Sequence, residues 1–222
     1  MYKYVFFDLD GTLADPFEGI TNSVAYALEK FGIRVEDRKT LSPFIGPPLV
    51  DSFKEFFGFD EISANKAVEY YREYFSVKGL YENKVYNGVE KTLEELKKRG
   101  YKPVIATSKP EIFTVKILEK FNLTKYFDFV SGATLDQTRV KKADVIAYAV
   151  EKLNIVDKSE IIMVGDRKFD VEGARQNGID TVGVLYGYGD REEMEIAKPK
   201  IIIENILDLL DLEGLSWILY NG

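Results

Sequence analysis

The sequence predicts an α/β fold, with a doubly wound and mainly parallel sheet that is interrupted by an inserted all-helical domain. Short apolar runs without strict alternation recur along the chain, as in strands that are buried on both faces. Apolar residues at helical spacing separate these runs, which is typical of parallel βα units. Between residues 15 and 85 the spacing is helical throughout. The alternating part therefore predicts a Rossmann-like sheet that is covered by helices on both faces.

The first predicted strand runs from Tyr2 to Phe7 and ends at the polar segment DLDGTLAD. Asp15 is predicted to cap the next helix, with Pro16 at the first helical position and Glu18 completing a capping box. Gly32 is predicted to close that helix. The many aromatic residues that follow recur at helical spacing and predict the core of a small bundle. The domains are therefore predicted as 1–14 with 86–222 for the α/β part, and 15–85 for the insertion.

Strands and helices alternate after residue 85. Predicted helices begin at Val89, Pro110 and near Ala143, and a short one precedes Gly178. The predicted strands cover residues 102–106, 127–130, 161–164, 181–185 and 201–203.

Composition excludes several kinds of chemistry. The chain has no cysteine and no histidine, so thiolate nucleophiles, imidazole bases and zinc sites built from these residues are excluded. The net charge of −7 disfavours nucleic acid as a partner, because there is no basic excess to neutralise phosphates. No apolar run is long enough for a signal peptide or a membrane span, so we expect a cytoplasmic protein. The tail Leu212–Gly222 is expected to pack on the core.

Polar residues follow several of the predicted strands. The carboxyl ends of parallel strands form the ligand-binding edge of such a sheet, so we expect these side chains to face one crevice. The candidates are Asp8 and Asp10 after the first strand, Thr107 and Ser108 after the second, Lys142 after the third, and Asp166 with Asp170 after the fourth.

These residue types have a shared chemical logic. Clustered carboxylates repel one another unless a cation neutralises them, and Mg²⁺ prefers a few carboxylates together with water and phosphate. A hydroxyl, backbone amides and a lysine would hold the remaining phosphate oxygens. One carboxylate can attack phosphorus while a second exchanges the proton. The sequence therefore predicts an Mg²⁺ site that handles a phosphorylated small molecule.

Four motifs carry a resemblance to the haloacid dehalogenase superfamily. Asp8-Leu9-Asp10-Gly11-Thr12 resembles its first motif, DxDGT, whose four fixed residues match by chance at about one position in 10⁵. Thr107 resembles the second motif, Lys142 the third (with Lys141 adjacent), and Gly165 to Asp170 the fourth, GDxxxD. The insertion is similar to the helical cap of phosphoglycolate-phosphatase-like members, and Ile45–Leu49 resembles their substrate-facing cap loop.

The resemblance implies a role for each matching residue. Asp8 is implied as nucleophile and Mg²⁺ ligand, and Asp10 as general acid and base that also binds the metal through its backbone carbonyl. Lys142 is implied to steady Asp8 and the phosphate. Further implied positions are Thr107 and Ser108 on the phosphoryl group, Gly46 of the cap loop on the substrate, and Asp166 and Asp170 at the metal.

Two other functions are alternatives to a phosphatase: a phosphohexomutase and a receiver-like signalling module. A phosphohexomutase shares Asp10 and the cap, but the members it resembles use a cap histidine, which this chain lacks. A receiver-like signalling module shares the acidic pair, Thr and Lys, but is much shorter and has no insertion. We interpret Lys109, Arg167 and Lys168 as solvated surface residues. The leading function is a phosphatase acting on a small phosphate monoester of the phosphoglycolate, nucleotide or sugar phosphate type.

Overall fold

The computed structural model describes residues 1–212 of the chain, so the predicted packing of the tail after Leu212 lies outside the described residues. The chain divides into two compact units. One comprises Met1–Ala14 and the chain from Val85 onward, and the other comprises Asp15–Lys84. None of the helices in the described part of the chain is both long and apolar enough to cross a bilayer.

The described residues contain eight strands and eight α-helices. The strands are β1 (Tyr4–Phe7), β2 (Ala14–Asp15), β3 (Lys84–Val85), β4 (Lys102–Pro110), β5 (Phe129–Ala133), β6 (Ile161–Gly165), β7 (Asp180–Val184) and β8 (Ile201–Ile203). The helices are α1 (Phe17–Glu29), α2 (Leu49–Phe57), α3 (Glu61–Phe75), α4 (Val89–Lys98), α5 (Glu111–Lys120), α6 (Lys142–Lys152), α7 (Lys168–Gln176) and α8 (Arg191–Ala197). Short 3₁₀ turns lie at Arg38–Phe44, Gly79–Tyr81, Thr124–Tyr126, Lys158–Glu160 and Ile206–Asp211.

Six strands of the larger unit form one parallel sheet in the order β5-β4-β1-β6-β7-β8, and β2 and β3 form a separate two-stranded sheet. The order reverses direction at β1, which makes the carboxyl end of β1 the switch point where such sheets bind ligands. In the register of the sheet, Phe7 at the end of β1 pairs with Ile105 of β4 and Val164 of β6. The predicted α/β class with a Rossmann-like sheet is confirmed.

The sheet is buried on both faces, as its continuous apolar strands predict. Val5, Phe6 and Phe7 of β1 have no exposed surface. Phe6 packs with Val104 and Met163 of the neighbouring strands against Ile146 of α6 and further residues of α6 and α7. This packing holds the strands against the helices, and the candidate site lies at the carboxyl ends of these strands.

Several predicted boundaries need correction. β4 continues past Ala106 to Pro110, and its register with β5 shifts between those two residues. β5 lies at Phe129–Ala133, two residues later than the apolar run suggests, because Phe127 ends a 3₁₀ turn. Helix α8 has no counterpart in the prediction, since its seven residues carry three glutamates and little apolar periodicity.

The smaller unit is a bundle of α1, α2 and α3 with two 3₁₀ turns. Its core contains Val24 and Leu28 of α1, Phe53 of α2, and Val68 and Phe75 of α3, all buried. The capping box predicted at Asp15 and Glu18 is wrong. The Asp15 carboxylate does accept the Phe17 N–H at 3.0 Å, but Glu18 forms an exposed ion pair with Lys84 instead. Ile45 of the predicted cap loop is fully buried, whereas Gly46 and Leu49 are half-buried.

Candidate active site

Three carboxylates meet at the carboxyl ends of β1 and β6. Asp8 directly follows β1, and its N–H donates to the Val164 carbonyl at 3.0 Å. Asp166 directly follows β6, and Asp170 lies in the first turn of α7. One oxygen from each of the three carboxylates lies within 4.8 Å of the others, and all three residues are buried. The structure therefore brings together the carboxylates of three of the four residues that were expected at the metal, and the predicted contribution of the fourth, the Asp10 backbone carbonyl, stays a prediction.

Two hydrogen bonds orient the Asp166 carboxylate, and two glycines beside it leave the space that it occupies. The Thr12 hydroxyl donates to its Oδ1 at 3.0 Å, and the Tyr188 N–H donates to its Oδ2 at 2.8 Å. Gly11 has a φ of +85°, and a Cβ there would lie 2.1 Å from Oδ2 of Asp166. A Cβ on Gly187 would lie 2.4 Å from Cβ of Asp166. Only glycine at these two positions leaves room for the carboxylate.

Lys142 neutralises part of this acidic cluster. Its ammonium lies 2.7 Å from Oδ1 of Asp8 and 2.7 Å from Oδ1 of Asp170, and it donates to the Ala106 carbonyl at 3.1 Å. Burial alone would lower the pKa of Lys142, but the carboxylates of Asp170 and Asp8 outweigh burial and raise it above its ordinary value. Lys142 is therefore a fixed cation, and Lys141 beside it is exposed.

Two carboxyls of the cluster are poorly stabilised as anions. Burial, followed by the nearby carboxylates of Asp170 and Asp8, raises the pKa of Asp166 well above its ordinary value. Burial likewise raises the pKa of Asp170, even though Lys142 opposes the effect and the Arg167 N–H donates to Oδ2 at 3.0 Å. The site thus holds more negative charge than its own residues stabilise.

A divalent cation fits this arrangement. Oδ1 of Asp8 and Oδ1 of Asp170 are buried and accept no well-aligned hydrogen bond, although the Lys142 ammonium lies close to both. Carboxylate oxygens are the ligands that Mg²⁺ prefers, and a bound cation would offset both the burial and the mutual repulsion that raise the pKa values of Asp166 and Asp170. The carboxylate of Asp10 does not belong to this group of three.

Asp10 is held by a lysine that the sequence interpretation missed. The Lys109 ammonium donates to Oδ2 of Asp10 at 2.6 Å, and both side chains are buried. Burial raises the pKa of Asp10, and the positive charge of Lys109 acts against that rise without cancelling it. Oδ1 of Asp10 is buried and accepts no hydrogen bond among the described residues. The interpretation of Lys109 as a solvated surface residue is wrong.

Thr107 and Ser108, the predicted phosphoryl-binding residues, lie near the carboxyl end of β4, as Lys109 does. Thr107 is buried, and its Oγ1 accepts the Lys109 N–H at 3.2 Å. Ser108 is half-buried. Gly46 belongs to the helical unit and has a φ of +109°, and its predicted contact with substrate stays a prediction.

The interpretation of Arg167 as a solvated surface residue is also wrong, whereas Lys168 is exposed as predicted. The Arg167 guanidinium is half-buried and forms two hydrogen bonds with Glu193 of α8, at 2.9 and 3.2 Å. The Lys168 N–H also donates to Glu193, at 2.8 Å. This arrangement anchors the start of α7, where Asp170 lies. The prediction missed it because it did not include α8.

Comparisons with known proteins found a matching family model, similar proteins and similar solved structures. A family model described as haloacid dehalogenase-like hydrolase matches residues 5–184. A 5′-nucleotidase from Pseudomonas aeruginosa is 43% identical over 198 residues, which cover 89% of each chain. The crystal structure of a predicted phosphatase from Clostridium acetobutylicum is similar with a TM-score of 0.92 and 49% identity, over 96% of this chain and 100% of that one. The tyrosine-protein kinase PtkA of Mycobacterium tuberculosis is 38% identical over 84% of this chain and 63% of its own length.

Proposed function

Because this chain belongs to the haloacid dehalogenase-like hydrolase family, we propose that it is an Mg²⁺-dependent phosphatase that hydrolyses small-molecule phosphate monoesters through an aspartyl phosphate on Asp8. Nucleoside 5′-monophosphates are the first substrates to test, since a 5′-nucleotidase is among the similar proteins. Phosphoglycolate and sugar phosphates are the other members of the proposed substrate class.

One observation supports the proposal above the others. Asp8 and Asp10 follow the central strand, yet they occur in two different environments. Asp8 lies beside the Lys142 ammonium and two further carboxylates, while Asp10 is paired with Lys109 and has a raised pKa. Two carboxyls whose surroundings differ in this way suit a nucleophile and a proton carrier.

The proposed first step forms the phosphoenzyme. An oxygen of the Asp8 carboxylate attacks phosphorus, and the bond between phosphorus and the ester oxygen breaks. Asp10 donates its proton to that departing oxygen. The Thr107 hydroxyl and the Ser108 N–H hold the oxygens of the transferring group, and Lys142 offsets their negative charge.

The proposed second step releases phosphate. Asp10, now ionised, takes a proton from a water molecule whose oxygen attacks phosphorus. The bond between phosphorus and the Asp8 oxygen breaks, which restores the Asp8 carboxylate and frees inorganic phosphate. Asp8, Asp166 and Asp170 would hold the Mg²⁺ ion. A bound Mg²⁺ supplies positive charge that balances the carboxylates and the phosphoryl oxygens.

The test of this function is phosphate release by the full-length chain in the presence of Mg²⁺. The substrate panel contains nucleoside 5′-monophosphates, phosphoglycolate, sugar phosphates and p-nitrophenyl phosphate, ranked by kcat/KM. We expect turnover of at least one natural monoester with kcat/KM above that for p-nitrophenyl phosphate. No phosphate release from any ester would contradict the proposal.

Removal of the metal is expected to abolish turnover. Without a divalent cation the carboxylates of Asp8, Asp166 and Asp170 repel one another and the phosphate dianion. EDTA should therefore stop phosphate release, and excess Mg²⁺ should restore it, while the larger Ca²⁺ ion should restore little. Melting temperatures measured in parallel should rise with Mg²⁺. Full activity in excess chelator would refute the metal requirement.

We also propose that the helical unit, residues 15–84, determines which esters are accepted. Its loop at Ile45–Leu49 is the segment to change, but Ile45 is buried in the core of the unit, so Leu49 is the better position. Leu49→Lys is expected to reorder the substrate panel while altering p-nitrophenyl phosphate hydrolysis little. Ile62→Lys, at a side chain that is 81% exposed in α3, is the matched control and should leave the ranking unchanged. Uniform loss across all esters with Leu49→Lys would show that the loop is structural.

Phosphoryl transfer to an acceptor other than water is the second candidate function. The similarity to the tyrosine kinase PtkA favours testing it, and the alternative of a phosphohexomutase belongs to the same reaction class. An added alcohol, sugar phosphate or tyrosine peptide would compete with water for the phosphoenzyme. Phosphate that is recovered on such an acceptor, in place of free phosphate, would identify a transferase.

A further inference from the structure

Lys109 is a buried cation whose position calls for an explanation. Its side chain is only 5% exposed, and that of Asp10, its partner at 2.6 Å, is 11% exposed. Taking two charges out of water is costly, and apolar residues of similar volume often stabilise a fold at least as well as a buried ion pair. Stability therefore gives little reason to keep a charge at this position.

The backbone of β4 places Lys109 at the site. The register of β4 with β5 shifts between Ala106 and Pro110, directly after the regular part of the strand. Lys109 lies within this irregular segment, and its N–H donates to Oγ1 of Thr107 at 3.2 Å. The same residue therefore contacts two members of the proposed catalytic group, Asp10 through its side chain and Thr107 through its backbone.

The two contacts of Lys109 leave one oxygen of Asp10 and the hydroxyl proton of Thr107 available to a substrate. Lys109 occupies Oδ2 of Asp10, whereas the buried Oδ1 accepts no hydrogen bond among the described residues. The Thr107 hydroxyl accepts a hydrogen bond from Lys109, so its own proton is available for an acceptor such as a phosphoryl oxygen. Fixing one oxygen of a carboxylate restricts its rotation, and small errors in orientation slow proton transfer strongly.

We propose that Lys109 is a positioning residue that holds Oδ2 of Asp10 so that Oδ1 exchanges the proton with the leaving oxygen and then with water. This inference rests on the proposed function, because it assigns Asp10 its part in that reaction. Lys109 acts through Asp10 and not on the substrate. Lys142, which lies beside Asp8 and Asp170, has a different place in the site.

A double-mutant cycle tests the inference, with Lys109→Met, Asp10→Asn and the combined variant. Methionine keeps the length of the side chain and removes the ammonium. We expect Lys109→Met to lower kcat about 10- to 100-fold, which is at or below the lower end of the roughly 10²–10⁴-fold that general acid–base catalysis supplies, with a smaller change in KM. In the Asp10→Asn background the same substitution should have almost no further effect, because Lys109 then has no proton carrier to position.

Leaving-group dependence supplies the second measurement. An alkyl phosphate needs more proton assistance than p-nitrophenyl phosphate, whose leaving group is stable as an anion. Lys109→Met should therefore slow formation of the phosphoenzyme from the alkyl ester more than from the activated ester. Lys109→Arg keeps a donor for Asp10 and should recover part of the loss.

Lys200→Met is the matched control for Lys109→Met. Lys200→Met removes a lysine that also lies 2.6 Å from an aspartate, Asp180, but in an exposed pair, and it should leave kcat unchanged. Near-UV circular dichroism and melting temperature establish that each variant is folded; if Lys109→Met is not, Lys109→Gln and Lys109→Arg take its place in the cycle. Full activity of Lys109→Met, or equal losses with and without Asp10, would overturn the inference. Wild-type turnover with a slow Asp10→Asn variant would leave the proposed phosphatase function intact in that case.

Discussion

Asp8→Asn is expected to abolish phosphate release on every ester, including p-nitrophenyl phosphate. An amide oxygen is a far poorer nucleophile than a carboxylate, and general acid help from Asp10 cannot replace the missing attack. The shape of the side chain is retained, so the N–H of residue 8 should still donate to the Val164 carbonyl, and Lys142 should still pair with Asp170. The loss should therefore reflect chemistry and not unfolding.

Trapping the covalent intermediate makes the expectation specific. With p-nitrophenyl phosphate, Asp10→Asn should form the phosphoenzyme but hydrolyse it slowly, since the departing nitrophenolate needs little protonation while water still needs a base. Acid quench or borohydride should then label Asp8, and the double variant Asp8→Asn/Asp10→Asn should carry no label. If repeated turnover of the wild-type enzyme in ¹⁸O-water places no label in the Asp8 carboxylate, direct attack by water would replace the covalent route.

Much of this site could be predicted because parallel strands align their ends. Once Asp8, Thr107 and Asp166 are each placed just after a buried strand, the register of β1 with β4 and β6 brings them together. Lys142 could be selected over Lys141 by its match to a motif, and the structure places only Lys142 beside Asp8. Periodicity and strand-end chemistry were sufficient for Asp8, Thr107 and Asp166, whereas the choice of Lys142 over Lys141 needed the motif.

The remaining features depend on irregular backbone. Lys109 follows two polar residues in a segment where β4 departs from regular pairing, and a lysine in a polar stretch is most often solvated, so its burial had no signal in the sequence. The Tyr188 N–H and Gly187 beside Asp166 lie in the Tyr186–Gly189 loop after β7. The alternation of tyrosine and glycine in that loop is the signal that could have indicated a close backbone approach.

Lys142→Met is expected to cost both activity and stability. The substitution removes the ammonium that lies 2.7 Å from both Asp8 and Asp170, and leaves two buried carboxylates without a cation. Removal of one partner from a buried ion pair typically costs about 3–5 kcal/mol of unfolding free energy. Turnover should fall below detection, because Asp8 loses the charge that steadies it and the phosphoryl group.

The stability loss should depend on pH in a defined direction. Burial raises the pKa of Asp170 to about 6 and that of Asp166 well above its ordinary value, so between pH 4 and pH 6 these two carboxyls bind more protons in the folded protein than in the unfolded chain. The contribution of these two carboxyls to the unfolding free energy of the metal-free protein should therefore fall as pH increases through that interval. Lys142 opposes the rise in the pKa of Asp170, so its removal should steepen the fall and extend it to higher pH.

Urea unfolding in EDTA at pH 4.5 and pH 8 measures this effect. We expect the wild-type protein and Lys142→Met to differ most at pH 8 and least at pH 4.5, where the carboxyls carry protons that stand in for the missing ammonium. Lys200→Met, which removes an exposed partner of Asp180, should change the unfolding free energy by about 0–1 kcal/mol at pH 8. Mg²⁺ should recover part of the Lys142→Met loss at pH 8, because the ion supplies the positive charge that the cluster lacks. A difference between wild type and Lys142→Met that is the same at both pH values would show that the lysine stabilises the fold by packing and not by neutralising the carboxylates.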